Sequence, residues 1–414
     1  MATAGVAIGL GNIWRFPYMM GLFGGAAFLV VYLIVVLAFG VPALMCEWAL
    51  GRHTRRGPMG AFERARLPGG RWWGYLLLFT IVMAASYYVV ILGWVLYYGF
   101  LFSFSAPTDP AQQIFDHLTG SPSVQFFFVW ICIALGCLAL ASGVKSGIER
   151  ISRIITPLFF GLFVFLIIQV LSLEGAPGKV WEFLSRWEDF SAETVLGALG
   201  QGMFSLSLGG TFMVIYGSYL RKEEDIPKNA LLTASLDVSA ALMASLIVIP
   251  PVLIFGIDLA SGPSLLFVVM GEVFQKLAWG TLLGAVFFFS IFLVAMLSLA
   301  GAYEVIVGAF QDVWGWQRRK TLGFILLTQS VLILPPILSP DKYIFYSDLV
   351  WGSTMQPFGA ALAVVALVWS IGRTRALEEI KRHSGLPVPP FLFYWIKYAV
   401  PAGVTIGLVY GWLG

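Results

Sequence analysis

The sequence predicts an all-α integral membrane protein, on three observations. Hydrophobic residues make up 59% of its 414 residues and charged residues only 11%, where a soluble domain carries about a quarter. The apolar runs are about 20 residues or longer, the length that crosses roughly 30 Å of hydrocarbon as a helix. Ten-residue stretches of alternating polarity, the mark of a membrane β-barrel, are missing. Eleven spans follow, at about 1–22, 25–51, 72–104, 124–142, 152–172, 195–220, 228–256, 279–311, 320–338, 344–372 and 390–413.

Span 1 carries GVAIGLGNIWRFPY at 5–18. Gly5, Gly9 and Gly11 each weaken a helix by roughly 1 kcal/mol relative to alanine, and Asn12 and Arg15 follow at once. A backbone unwound here frees carbonyls for a cation and N–H groups for a carboxylate. Close packing through the Gly5–Gly9 pair is the other reading. Spans 3, 7, 8 and 10 are long, roughly 28–33 residues, and should tilt or protrude. Between spans 5 and 6, residues 173–194 mix Trp181 and Trp187 with five acids. Span 6 holds a second glycine-broken stretch, GQGMFSLSLGGT at 200–211. The loop 257–278 contains SLLFVVMGEVF, too short to span and suited to a re-entrant or capping helix.

Two interrupted segments at matching positions mark two five-span halves of opposite topology, with a transporter's binding site at the midplane. The division is then 1–172 for the first half, 173–194 for an outside loop, 195–372 for the second half and 373–414 for the last helix. No soluble domain is expected.

Lys and Arg set the orientation. Nineteen lie in one set of loops, from Arg52 to Arg382, against Lys179, Arg186, Lys276 and Lys342 in the other. The first set is expected in the cytoplasm of a plasma (inner) membrane protein, with the N-terminus inside and the C-terminus outside. Span 1 begins late, so residues ahead of Met1 are expected, and no cleavable signal peptide is seen. Cys46, Cys132 and Cys137 fall in spans, which disfavours a disulfide framework. His53, His117 and His383 fall in loops, against a histidine proton relay. Within the spans the charges are Arg15, Glu47, Asp237, Glu304, Asp348 and Lys397. Each costs about 2.5–3.5 kcal/mol at a helix centre and needs a partner or a water-filled cavity. Walker, HExxH and GxSxG motifs are missing, so no enzyme is expected, and a nucleic-acid role has no support.

GLGNIWRFPY (9–18), FGGAAF (23–28), SLSLGG (205–210) and YGSYLRKEEDIPKNA (216–230) resemble the neurotransmitter:sodium symporter family over nearly the whole chain. The resemblance implies the LeuT fold, a five-plus-five inverted repeat with broken helices 1 and 6 and trailing helices; bacterial members with eleven spans are known. It implies a substrate carboxylate on the N–H groups of Leu10 and Gly11 and the Tyr88 hydroxyl. The substrate amino group would meet the carbonyls of Ala7, Phe204 and Ser205 and the Ser207 hydroxyl. Relatives carrying biogenic amines have aspartate at the position of Gly9, so glycine implies an amino-acid substrate. The side-chain pocket maps to Ala84, Tyr88, Phe204, Gly210, Ser298 and Ala302, which suits a bulky neutral residue.

A first sodium site maps to the Ala7 carbonyl, Asn12, Ser205 and Asp237, the last an asparagine in most relatives. Oxygen ligands suit a hard cation. Tyr32, Gln201 and Ser205 match the anion site of chloride-dependent relatives, where Asp237 would replace the anion and could take a proton when sodium leaves. A second sodium site maps to Gly5, Ile8, Val294 and Ser298, with Leu297 where a threonine ligand is expected. Val6 stands where many relatives carry asparagine. Arg15 and Asp348 match an outer gate. Asp312 matches an inner gate whose arginine partner would precede Met1, and Tyr219 matches a tyrosine beneath the substrate. Ser218, Arg221 and Asp225 fall on the inner loop. Glu47 and Glu304 are expected as anchors between helices, and Lys397 as a side chain snorkelling to the interface.

The expected function is sodium-coupled import of a neutral, bulky hydrophobic or aromatic amino acid by alternating access, without chloride. The alternatives are a transport-deficient sensor or binding protein, or a transporter coupled to one sodium or to protons. Amino acid, sodium and lipid bilayer are the expected partners, with the oligomeric state open.

Overall fold

The computed structural model describes residues 8–141, 143, 148–185, 187, 190–256 and 265–413. Gly5, Val6 and Ala7 lie outside them, as do Arg186 and residues 257–264. Span 1 is described from Ile8 onward: its helix, α1 (residues 11–22), begins on a wide π-helical turn at Gly11–Arg15. There follow α2 (Gly25–Thr54), α3 (Pro58–Arg64), α4 (Gly70–Phe104), α5 (Ala111–Thr119), α6 (Pro122–Ala141), α7 (Ile148–Leu171) and α8 (Ala176–Leu184). Span 6 divides into α9 (Ala192–Ser205) and α10 (Phe212–Tyr219). The remainder is α11 (Ile226–Ile254), α12 (residues 265–276), α13 (Gly280–Trp314), α14 (Arg318–Leu338), α15 (Pro340–Ile371), α16 (Arg373–Lys381) and α17 (residues 391–413).

Among the described residues nine helices are long and apolar enough to cross a membrane. Span 6 is interrupted, span 1 is described only from Ile8 onward, and the ends of the unbroken spans fall within four residues of expectation. Local chemistry explains the ends. Asp225 caps α11 by accepting the Lys228 N–H at 2.9 Å, and Ser191 caps α9 through Thr194, each satisfying an amide the helix cannot. In the 257–278 loop the described part is α12, whose Met270, Val273 and Phe274 are buried; it packs on α13 without crossing.

The long helices α4 and α13 lie against each other. α10 packs on α2 so closely that a Cβ at Gly217 would sit 2.6 Å from the Trp48 carbonyl. The end of the molecule rich in arginine and lysine, the basic end, is stitched by Arg52. This fully buried side chain binds Glu379 of α16 at 2.7 Å and the Glu224 carbonyl at 2.6 Å. α16 itself, charged and short, was not expected from the sequence.

Candidate functional site

The two breaks face each other at the centre. In the first turn of α1, Asn12 turns back and its Oδ1 accepts the Gly9 N–H at 2.9 Å. After α9, Ser207 adopts φ +52° and Gly210 φ +66°, so the chain leaves the helical path and restarts at Phe212. A left-handed conformation costs a non-glycine residue roughly 1–2 kcal/mol, so Ser207 needs outside support. Glu47 of α2 provides it next door: its buried Oε1 accepts the N–H groups of Gly209 and Gly210, both at 2.9 Å. The expectation of Glu47 as an anchor thus has a definite geometry.

Beside the breaks lies a buried oxygen-rich cluster. Asn12 Nδ2 donates to Asp237 Oδ1 at 2.7 Å and to Ser205 Oγ at 2.9 Å. Ser205 Oγ donates to Asp237 Oδ2 at 2.7 Å, and the Tyr32 hydroxyl reaches the same oxygen at 3.5 Å. Gln201 Nε2 donates to the Gly11 carbonyl at 3.3 Å, while its Oε1 is buried with no partner. Asn12, Tyr32, Gln201, Ser205 and Asp237, drawn from α1, α2, α9 and α11, therefore meet in one place. Ala7, expected here too, lies outside the described residues. Rotating the Asn12 amide would turn its oxygen toward Asp237, an arrangement that a cation between them, or a proton on Asp237, makes favourable.

A cavity of about 560 Å³ opens from this cluster. Gly9, Leu10, Gly11, Ala84, Tyr88, Phe204, Ser205, Ser207, Ser298 and Ala302 line its inner part. The Tyr88 phenol lies against the Leu10 amide and the Ser298 hydroxyl. Gly210 is set back from the cavity, its own contacts being Glu47 and the Gly359 backbone. The cavity continues outward past Trp94, Phe115, Asp341 and Phe345, away from the basic end. The Arg15 guanidinium sits 4.6 Å over the ring of Phe204, one of the lining residues. Asp348 takes the Tyr87 hydroxyl at 2.9 Å instead of Arg15. Among the described residues no ion pair joins Arg15 to Asp348, and both lie on π-helical turns, Gly11–Arg15 and Asp348–Thr354. The remaining expected ligands are less exposed. Ser298 donates to the Ile8 carbonyl at 3.0 Å, and Val294 and Leu297 are buried in α13.

The model of the family described as Sodium:neurotransmitter symporter family matches residues 1–117 and 112–412. The chain belongs to that family. An uncharacterized sodium-dependent transporter of Bacillus subtilis, YhdH, is 31% identical, with 98% of this chain and 94% of the relative aligned. One from Methanocaldococcus jannaschii is 30% identical, with 99% and 86% aligned. The crystal structure of MhsT in complex with L-phenylalanine superposes with a TM-score of 0.87 at 30% identity, covering 99% of this chain and 97% of that one. The all-helical LeuT fold with broken spans 1 and 6 is thereby established for this symporter.

At the basic end two expected gate residues have partners among the described residues. The first is Asp312. Its carboxylate accepts the Gly57 N–H at 2.5 Å and lies 3.5 Å from Arg56, because the turn between α2 and α3 brings both groups under α13. The second is Tyr219, which is 40% exposed and whose hydroxyl donates to Glu304 at 2.8 Å. Glu304, fully buried, also takes both arms of Arg318 at 2.7 and 2.8 Å. The sequence marked Arg318 only as a loop charge and Arg56 only as part of a basic run. A buried acid with no cation on its own helix was the available signal for Arg318.

Proposed function

We propose that this symporter carries a bulky neutral amino acid, aromatic or branched, into the cell together with sodium, and does so by alternating access without chloride. One observation carries the reading: the Leu10–Gly11 break and the Tyr88 hydroxyl share a single cavity with the Asn12–Ser205–Asp237 cluster. N–H groups at a helix start favour a carboxylate, and a cation held at Asp237 would lie beside it. Among the described residues no lysine or arginine lines the cavity, and its carboxylates, Asp341 and Asp348, lie in its outer part. A neutral side chain fits such walls, and the relative solved with L-phenylalanine supports the class. Asp237 beside Tyr32 and Ser205 supplies a fixed negative charge where an anion would otherwise sit, which supports independence from chloride. The asymmetry of Lys and Arg supports a cytoplasmic basic end and N-terminus and an outer C-terminus. The cavity then opens outward in this structure.

Uptake into proteoliposomes tests the reading. Imposed sodium gradients should drive accumulation of phenylalanine, tryptophan or leucine, whereas potassium or choline should not. Glycine or alanine outcompeting every large residue would refute the substrate class, and collapse of uptake in gluconate would refute independence from chloride. Coupling to a single sodium is favoured by Leu297, which offers no oxygen, and by the Ser298–Ile8 hydrogen bond, which engages two expected ligands with each other. A sodium Hill slope of two would count against it. Substrate binding without counterflow would make the protein a sensor.

A further inference from the structure

Span 11 carries an intramembrane lysine that the transport reading does not use. Lys397 lies roughly two turns into α17, on a π-helical turn at Trp395–Ala399. Its ammonium sits 4.4 Å from the Trp369 ring centroid and 5.3 Å from that of Tyr398. Those two rings stand at 87° to each other, so the cation occupies the corner they make. About one turn nearer the membrane edge the arrangement repeats. The Arg373 guanidinium lies 5.1 Å from the Tyr394 ring and 5.7 Å from Phe393, and donates to the Tyr394 hydroxyl at 3.0 Å.

Three features separate this patch from ordinary snorkelling. Among the described residues neither Lys397 nor Arg373 has a carboxylate within ion-pair distance. The acid of α16 that points inward, Glu379, is committed to Arg52. Apart from the single bond to Tyr394, no acceptor among the described residues meets the donors of either cation. The rings are outward-facing, Trp369 being 55% and Tyr398 53% exposed. Aromatic faces hold a cation by about 0.5–2 kcal/mol but accept no hydrogen bond of full strength, so both cations keep unused N–H groups at the hydrocarbon boundary. Arg375, also exposed, adds a third positive charge at the edge.

We infer that the patch where the end of α15 and the start of α16 meet α17 is a binding site for the phosphate headgroup of an anionic phospholipid, with Lys397 and Arg373 as its ligands and the rings of Trp369, Tyr394 and Tyr398 around them. Two cations one turn apart match a lipid carrying two phosphates better than one carrying a single phosphate. Basic pockets between spans on the cytoplasmic side are suited to such headgroups. The site stands apart from the substrate cavity and does not depend on what is transported.

Native mass spectrometry of the purified full chain, titrated with diphosphatidylglycerol, phosphatidylglycerol or phosphatidylcholine, tests this. The wild type should hold diphosphatidylglycerol at least tenfold more tightly than phosphatidylcholine, with phosphatidylglycerol between. Lys397→Gln with Arg373→Gln should abolish the preference, and Lys397→Arg should keep most of it. Trp369→Leu leaves both charges in place and should weaken binding severalfold, which keeps the test open if the double variant folds poorly. Equal retention of all three lipids, an unchanged preference in the variants, or equal competition by inorganic phosphate would overturn the site. A lipid-free dimer lost in the same variants would assign the patch to a second copy instead.

Discussion

Asp237 shows how residues far apart in sequence become one group. Its carboxylate is buried and saturated by Asn12, Ser205 and Tyr32. Asp237→Asn removes the fixed charge while keeping an acceptor, so sodium affinity should fall and chloride should begin to stimulate uptake; indifference to chloride in that variant would refute the electrostatic role. Gly11 is constrained by space rather than by dihedral angle. A Cβ there would lie 2.5 Å from Phe204 Cε1, and the ring is pinned beneath Arg15. Overpacking costs about 1–3 kcal/mol, so Gly11→Ala should raise the apparent KM for substrate about tenfold or more, measured by uptake. These residues were legible because GLGN and SLSLGG carry a strong family resemblance. The partners of Asp312 and Glu304 were not, since Arg56 and Arg318 reach them only through the packing of separate helices.

At the scale of elements, apolar length revealed the spans, and glycine clusters revealed the breaks. The short pieces α3, α5, α8 and α16 gave no such signal, because a helix of seven to nine residues of mixed polarity differs little in composition from a loop. The break in span 6 depends on one side chain from span 2. Glu47→Ala would leave two buried N–H groups without an acceptor, each costing about 1–3 kcal/mol. Its melting temperature should fall well below that of Glu47→Gln, which keeps an oxygen at the same place; equal loss in both would point to the charge instead. Likewise Arg318→Ala strands a buried Glu304, a loss of about 3–5 kcal/mol, and Arg318→Ala with Glu304→Gln should recover part of it in the same measurement.

For the whole molecule, the open path on one side and the ties on the other describe a single conformation. Asp312 holds the turn at Arg56–Gly57 under α13 while Arg15 and Asp348 stand unpaired. Asp312→Ala should release the basic end and raise the population open to that side. A cysteine placed at Ile215, now buried beside Gly57 and Gly308, should then react severalfold faster with a thiol reagent applied from the basic side; an unchanged rate would show that the tie does not restrain opening. The fixed carboxylate at Asp237 also has an electrical consequence. For import with one sodium, a loaded carrier holds a cation, a zwitterion and one permanent negative charge, and so crosses nearly neutral. If Asp237 stays ionised when sodium leaves, rather than taking up a proton, the unloaded carrier returns with the negative charge uncompensated. Membrane voltage, worth about 2.3 kcal/mol per charge per 100 mV, therefore acts chiefly on the return stroke, and hyperpolarisation should quicken turnover at saturating sodium more than it sharpens affinity.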